Sequence, residues 1–310
     1  MRRKVHFHHH VAKEFHEWPS VHVLRGFHIA AALVHVTWVV CAALALPSVE
    51  VGVNVIFRRT LYLTNSTAVI GSEDRTDFNF KSLRVLLAFP AVTAAFHLAY
   101  ASLPGAGGWG NPLRWLEYAI SATLLTLSAA VASGVTDADA FAFAVALSVG
   151  LQACGLALDL LPREHPPAGL RPLLLCVGFL NVAALFWQIA RHAFTNSSPH
   201  GAPESAKKVS LAFGVYYFSF GVVATLRAYG VGLWRSAAFT EYTYAVLSLS
   251  SKTAVFWLSF AGIKLMLNFL RPAEADHGLD WFAVQVAAAA APAAVAAAAL
   301  LVPLATLHAR

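Results

Sequence analysis

Apolar stretches of about 20 residues or more recur along the chain, and this feature limits its fold more than any other. A helix of that length crosses the hydrocarbon core of a bilayer. Charged residues make up only 12% of the 310 residues, about half the share that a soluble domain carries. Because so few charges cannot cover a water-exposed surface, the sequence predicts an all-α integral membrane protein.

Seven of these stretches form a series of candidate membrane spans, joined mostly by short connections. They cover residues 24–46, 83–103, 111–134, 138–161, 170–193, 209–234 and 239–270. Short connections favour antiparallel neighbours in one compact bundle over separate domains. The sequence therefore predicts a single seven-helix domain over residues 23–270.

Two segments flank this predicted domain. Residues 1–22 form a polar, His-rich tail, and its run of three histidines at residues 8–10 is interpreted as solvated because nothing fixes a metal-binding geometry. Residues 271–310 are predicted to form a linker and an Ala-rich apolar helix. Within them, residues 281–307 are long enough for an eighth span, with a helix lying on the membrane or packed against the bundle as alternatives.

The connection after the first span, residues 47–81, is much longer than the others and carries its own β-prone runs. These are VNVIF and TLYLT, which are separated by Arg58 and Arg59. Two short β-prone runs with a break between them are typical of a hairpin. A β-hairpin outside the bilayer is therefore predicted in this loop.

The net charge of +6 resides in loops and tails, where Lys and Arg contact lipid headgroups or act as topology signals. The sequence shows no basic stripe interleaved with aromatic residues, so nucleic acid is not predicted as a partner. The distribution of positive charge does not decide the orientation. Glycosylation sequons begin at Asn65 and Asn196, in loops on one side of the membrane, and an external position for both makes the N-terminus cytoplasmic.

Ionisable residues inside the predicted spans indicate a candidate site, because each costs about 2.5–3.5 kcal/mol on insertion scales. Lys252 lies near the middle of the last span and needs an anionic partner, for which Glu117 in the third span is the natural candidate. Ser121 lies one turn after Glu117, and Ser248 lies one turn before Lys252. These four residues predict either a functional polar site or a structural ion pair that joins two helices.

The segments around these residues resemble two motifs of the heliorhodopsin family. LRWLEYAISA looks like the family's third-helix motif, and EYTYAVLSLSSKTAVFW looks like its seventh-helix motif. The resemblance implies a rhodopsin-like bundle in which all-trans retinal is bound to Lys252 as a protonated Schiff base, with Glu117 as its counterion. It also implies that Ser248 hydrogen-bonds this pair and that Glu241 occupies a glutamate position near the membrane edge.

Two histidines extend the resemblance, which covers about residues 22–270. AALVHV contains His35 at the family's first-helix histidine, and FHLAYASLP contains His97 at its second-helix partner. With Glu241, they are expected to form a polar, proton-accepting cavity on the cytoplasmic side of Lys252.

An aromatic run in the sixth predicted span supplies two further candidates. Tyr217 and Phe220 lie three residues apart, so they share a helix face and are predicted to line the retinal pocket. Ordinary helix packing or lipid contact is the alternative.

The favoured interpretation is a light sensor that signals to an unidentified partner, and the resemblance further implies a homodimer. Pumping is not predicted, because related microbial pumps carry a second carboxylate eleven residues after the counterion and here that residue is Ser128. A light-gated proton or ion channel is the alternative. A third reading is a non-photochemical membrane protein in which Lys252 and Glu117 are merely paired. No sequence motif indicates an enzyme or a metal site.

Overall fold

The computed structural model describes residues 21–45, 52–54, 79–102, 112–135, 137–162, 167–195 and 204–270. Within these residues the chain forms seven long α-helices. They are α1 (Val21–Ala45), α2 (Ser82–Ser102), α3 (Pro112–Ala132), α4 (Ala138–Leu160), α5 (Leu170–Thr195), α6 (Glu204–Ala228) and α7 (Ala237–Leu270). A short 3-10 helix, Gly232–Arg235, connects α6 to α7. The predicted tail, residues 1–22, lies outside the described residues apart from its last two, and residues 271–310 lie outside them entirely.

The seven helices pack into one bundle. Each helix packs against the next along the chain, α7 also contacts α1, and α3 contacts α6 and α7 as well as its neighbours. We call the end of the bundle where α1, α3, α5 and α7 begin the near end, and the opposite end the far end. Because successive helices run antiparallel, residues at the start of α3 meet residues at the end of α4 and the start of α7. The predicted all-α seven-helix bundle is confirmed.

Six of the helices, α1 to α6, are long and apolar enough to cross a membrane. Large apolar side chains face outward from the bundle; Leu33 is 63% exposed, Leu180 62% and Trp187 69%. An outer surface of this kind suits lipid rather than water. The protein is therefore an integral, multi-pass membrane protein.

The apolar core of the bundle lies toward the far end. Phe89, Phe213, Phe256 and Phe260 are fully buried there, and Trp38 stacks on Phe256 with their ring centroids 5.9 Å apart. Aromatic side chains of this size fill the space between helices and fix their separation. This core supports the mid-bundle position of Lys252, which lies one turn before Phe256 on α7.

Two short strands precede α2. β1 (Gly52–Asn54) pairs in antiparallel register with β2 (Asn79–Lys81), so that Val53 lies opposite Phe80. The predicted hairpin of VNVIF with TLYLT is not supported. The start of VNVIF pairs with the end of the loop, where the chain must return to begin α2, and TLYLT lies outside the described residues.

One helix boundary differs from the sequence prediction for an electrostatic reason. The sixth span was expected to begin at residue 209, whereas α6 begins at Glu204. The first turn of α6 is charged, and Glu204 forms an ion pair with Lys207 at 3.8 Å. A hydropathy pattern marks only the apolar part of a helix, so it misses a charged first turn that extends beyond the bilayer core.

Candidate functional site

Lys252 and Glu117 are in direct contact at the centre of the bundle. Lys252 Nζ donates to Glu117 Oε1, which joins α7 to α3. Both residues are almost completely buried, at 3% and 1% exposure. Charges this far from water are stable only when they are paired and hydrogen-bonded. The structure therefore brings together the two residues that the sequence singled out, while their roles toward retinal stay predictions.

Both oxygens of the Glu117 carboxylate have a further donor. Ser121 Oγ donates to Oε1 at 3.3 Å, and Tyr100 Oη donates to Oε2 at 3.1 Å. On the other side of the ion pair, Lys252 Nζ lies 5.3 Å from the centre of the Tyr118 ring. These contacts hold the carboxylate in one orientation toward the amine. Ser121 was predicted here, but Tyr100 was missed.

The expected hydrogen bond from Ser248 to the ion pair is not formed. Ser248 is 1% exposed, and its hydroxyl has no hydrogen-bond partner among the described residues. Lys252 Nζ is directed at Glu117, whose Oε1 already accepts from Ser121. Ser248 lies one turn toward the near end and faces a large cavity that Lys252 also lines. A residue spacing fixes the helix face of a side chain, but it does not fix which neighbour occupies the bonding position.

Three buried histidines lie together between α1 and α2. The rings of His35 and His97 stack at 5.8 Å, while the proton-accepting cavity predicted for them stays a prediction. His97 Nδ1 lies 2.8 Å from Nδ1 of His28, which the sequence interpretation missed. His28 also lies 5.2 Å, ring to ring, from Tyr100. The position of His28, two turns before His35 on one helix face, is the signal that could have identified it.

Glu241 is engaged in an ion cluster at the near end. Arg114 donates to the carboxylates of both Glu241 and Asp159, and Trp115 Nε1 donates to Asp159 Oδ2 at 2.8 Å. Glu241 lines a polar pocket that His28 and His97 also line, so it does lie near the predicted proton-accepting cavity.

Asp159 lies near the end of α4, where an acidic side chain commonly faces the lipid headgroups, but its carboxylate accepts hydrogen bonds from Arg114 and Trp115 instead. The start of α3 and the start of α7 meet the end of α4, so end residues of three helices pair with one another. Position near a span end therefore does not imply contact with the headgroups when the helix ends converge.

A larger cavity extends from Lys252 between α3, α4, α5, α6 and α7. It contains about 770 Å³ of empty space, its open mouth included. Its walls are mostly apolar and aromatic; they include Trp115, Tyr118, Leu125, Phe179, Val182, Tyr217, Phe220 and Tyr244. The structure thus places both sixth-span candidates, Tyr217 and Phe220, at the cavity wall. Tyr217 Oη is fixed by Thr126 Oγ1 at 2.8 Å, and Phe220 stacks on Tyr244 at 6.0 Å.

The cavity has the properties that retinal requires. The amine of Lys252 lies in its wall, and the rest of the lining suits a long apolar polyene. At Gly221, a Cβ would come within 2.7 Å of the Phe179 ring. The Phe179 ring therefore packs directly against the backbone of α6 and closes this wall of the cavity. Among the described residues, no cluster of His, Cys, Asp and Glu could hold a metal ion.

Comparisons with known proteins agree with this arrangement. The heliorhodopsin family model matches residues 24–264, which is most of the chain. The crystal structure of the cell-free synthesized membrane protein Acetabularia rhodopsin I is similar in fold, with a TM-score of 0.57 over 79% of this chain and 95% of that one. The two sequences are only 13% identical, so this likeness concerns the fold alone. A comparison with curated proteins finds no match. By the extent of the family match, the chain belongs to the heliorhodopsin family.

Proposed function

We propose that this protein is a light sensor in which Lys252 Nζ holds all-trans retinal as a protonated Schiff base and Glu117 is the counterion. Membership of the heliorhodopsin family makes the protein a retinal photoreceptor in general terms. The observation that carries the finer proposal is the position of Lys252. Its amine lies between the buried carboxylate of Glu117 and a large apolar cavity.

The surroundings of Lys252 suit this role electrostatically. A positive charge at Nζ is buried, so it requires Glu117 to be ionised beside it. Tyr100 and Ser121 donate to Glu117, which favours its charged form. These donors lie on α2 and α3, and most of the cavity that Lys252 lines is apolar. One end of the site is thereby charged and hydrogen-bonded, and the other end accepts a hydrocarbon.

When bound, retinal supplies a conjugated polyene that absorbs visible light and isomerises. The protein's own contribution begins with the direction of the Nζ–H bond, which points at Glu117. A turn of this bond away from the carboxylate removes the ion pair in a medium of low dielectric constant, which favours loss of the proton from Nζ. His97 and His35 are the proposed proton-accepting groups, with His28 bonded behind His97.

A sensor is favoured over a pump by the distribution of acidic groups. The residue eleven positions after Glu117 is Ser128, and its buried hydroxyl has no partner within the described part of the chain. Between Lys252 and the far end, the described residues include no buried Asp or Glu. Reloading Nζ with a proton from the far end would need such a group. The near end, in contrast, has three carboxylates, Glu117, Asp159 and Glu241.

A light-gated proton or ion channel is the second candidate, and the small pocket lined by polar side chains at the near end favours it. His28, His97, Tyr100 and Glu241 line this pocket together with Glu117, so it leads away from the ion pair. The Arg114 ion cluster lines the same pocket and would have to open. A light-dependent current across a planar bilayer containing the protein distinguishes a channel from a sensor, which gives none.

The orientation and the assembly also belong to this proposal. We place the N-terminus in the cytoplasm, which makes the near end and its polar pocket cytoplasmic. We also retain the homodimer and a separate signalling partner as expectations from the family resemblance. Labelling of single cysteines introduced at Ser102 and Glu204, at opposite ends of the bundle, tests the orientation.

The experiment that tests the proposal is an absorption spectrum of protein expressed with all-trans retinal. Wild-type protein is expected to show a visible band, and Lys252→Ala is expected to lose it completely. Lys208→Ala, at an exposed position on α6, is the matched control and should keep the band. A folded wild-type protein without a visible band would contradict the proposal and leave the Lys252–Glu117 contact as a structural ion pair.

A further inference from the structure

We infer that Asp159 is a positioning residue, which holds the Trp115 ring in place and thereby sets the shape of the cavity beside Lys252. One readout of this role, the absorption maximum, rests on the proposed retinal site. The other, the NMR resonance of the Trp115 indole, does not need retinal. Asp159 lies outside the cavity, so any effect on a bound chromophore passes through another side chain.

Trp115 is a wall of the cavity and a neighbour of the ion-pair residues. It is 8% exposed, lines the cavity and precedes Glu117 by two residues on α3. Its ring contacts Tyr118 edge to face at 6.1 Å, and the Tyr118 ring lies 5.3 Å from Lys252 Nζ. A displacement of the indole would therefore change both the cavity volume and the surroundings of the amine.

A site on α4 accommodates this indole at two points. Gly155 and Asp159 are four residues apart, so they lie on one face of α4. A Cβ at Gly155 would overlap the indole ring of Trp115, and only glycine leaves the ring its present position. One turn later, Asp159 Oδ2 accepts the hydrogen bond from Trp115 Nε1 at 2.8 Å. The glycine fixes how close the ring comes to α4, and the carboxylate fixes its direction.

Asp159 is itself held by charge. Arg114 Nη2 donates to the same Asp159 oxygen that accepts from Trp115, while Arg114 Nη1 donates to Glu241. The guanidinium also lies 4.9 Å from the centre of the Trp115 ring. A buried arginine would be satisfied electrostatically by one carboxylate. The second carboxylate adds the one contact that Glu241 does not make, the hydrogen bond to the indole N–H.

The test is a double-mutant cycle between Asp159 and Trp115, read by the absorption maximum of the retinal-bound protein. Asp159→Leu is expected to shift the visible band by several nanometres, because the indole loses its acceptor. Asp159→Asn keeps an acceptor oxygen and should retain a band closer to that of the wild type. In a Trp115→Phe background, Asp159→Leu should cause no further shift, because phenylalanine has no N–H to hold. A shift of equal size in both backgrounds would overturn the inference, since Asp159 would then act by charge alone.

A second readout needs no retinal and separates this inference from the proposed function. In protein labelled with ¹⁵N-tryptophan, the indole resonance of Trp115 is assigned as the one that Trp115→Phe removes. Asp159→Leu, which removes the acceptor, should shift this resonance, whereas Glu241→Gln, which changes the other carboxylate bound to Arg114, should shift it less. A shifted indole resonance in Asp159→Leu without a visible band in the wild type supports the Asp159–Trp115 contact and refutes the retinal site. An indole resonance that does not respond to Asp159→Leu overturns the positioning role, whatever the absorption spectrum shows.

Discussion

The near and far halves of the bundle meet at Lys252 but are built from different chemistry. The near half contains hydrogen-bonded and charged side chains, namely His28, His97, Tyr100, Arg114, Glu117, Asp159 and Glu241. The far half contains large apolar ones, namely Trp38, Leu86, Phe89, Phe213, Phe256 and Phe260. In the near half, hydrogen bonds and ion pairs fix the orientation of the side chains. In the far half, the close packing of large side chains fixes it.

This difference separates two tasks within one membrane domain. The near half holds each buried charge at a defined place, because an unpaired charge in a low-dielectric medium is too costly to persist. The far half offers few groups that could hold a proton, but its packed rings resist deformation. Substitutions in the near half should therefore change the spectrum and proton transfer first, and those in the far half should change stability first.

The largest effect is expected for Glu117→Gln in the near half. Removing one member of a buried ion pair costs about 3–5 kcal/mol, because the remaining charge has no partner. At neutral pH the visible band should largely give way to a near-ultraviolet band, since an uncompensated positive charge at Nζ is unstable. A pH titration of the two bands measures this change. An unaltered visible band across the titration would show that Glu117 is not the counterion.

The contrasting effect is expected for Phe89→Ala in the far half. Phe89 is fully buried and contacts Phe256 edge to face at 5.8 Å. Its truncation should cost about 3 kcal/mol, the lower end of the range for soluble cores, since lipid is as apolar as the core itself. The temperature at which the visible band is lost should fall, while the position of the band stays close to that of the wild type. A large spectral shift with unchanged thermal stability would break the proposed division between the halves.

A smaller effect is expected for His28→Phe, which removes the partner of His97 Nδ1. Leaving a buried nitrogen unsatisfied costs about 1–3 kcal/mol. The light-induced imidazole bands in an infrared difference spectrum should also weaken, because His97 loses the group to which it can pass or share a proton. For stability alone, His35→Phe is the control: neither of its ring nitrogens has a partner among the described residues, so no hydrogen bond is lost. Equal losses of stability in the two variants would argue against a specific His28–His97 bond.

The smallest effects separate two serines near the ion pair. Ser121→Ala removes a donor to Glu117 and should cost about 0.5–1.5 kcal/mol, with a measurable shift of the visible band. Ser248→Ala removes a hydroxyl that has no described partner, so its effect on stability should stay within about 0.5 kcal/mol. Thermal denaturation followed at the visible band measures both. A larger cost for Ser248→Ala would indicate that its hydroxyl is bonded in the retinal-bound protein.

The sequence predicted the parts of the molecule that follow from single-helix rules. Hydropathy gives the seven helices, and the cost of a buried charge identifies Lys252 and Glu117. Helical spacing places Ser121 beside Glu117. The family resemblance adds His35, His97 and Glu241, which the structure places around the near-end polar pocket or beside it.

The rest depends on contacts between helices that no local pattern encodes. Tyr100 hydrogen-bonds to Glu117 only because α2 packs against α3. Asp159 pairs with Arg114 only because the ends of three helices lie together. Ser248 shows the opposite error, since its helix face is correct but its expected bond is absent. The partner of a charged residue near a span end cannot be predicted from the sequence, because lipid headgroups and a neighbouring helix can both pair with it.

The central claim is that Lys252 carries the chromophore, and chemical trapping tests it most directly. Borohydride reduction of the retinal-bound protein, followed by proteolysis and mass spectrometry, locates the lysine to which retinal is attached. We predict a retinyl adduct on the peptide that contains Lys252 and on no other. An adduct on any other lysine, in protein that shows the visible band, would contradict the assignment of the site.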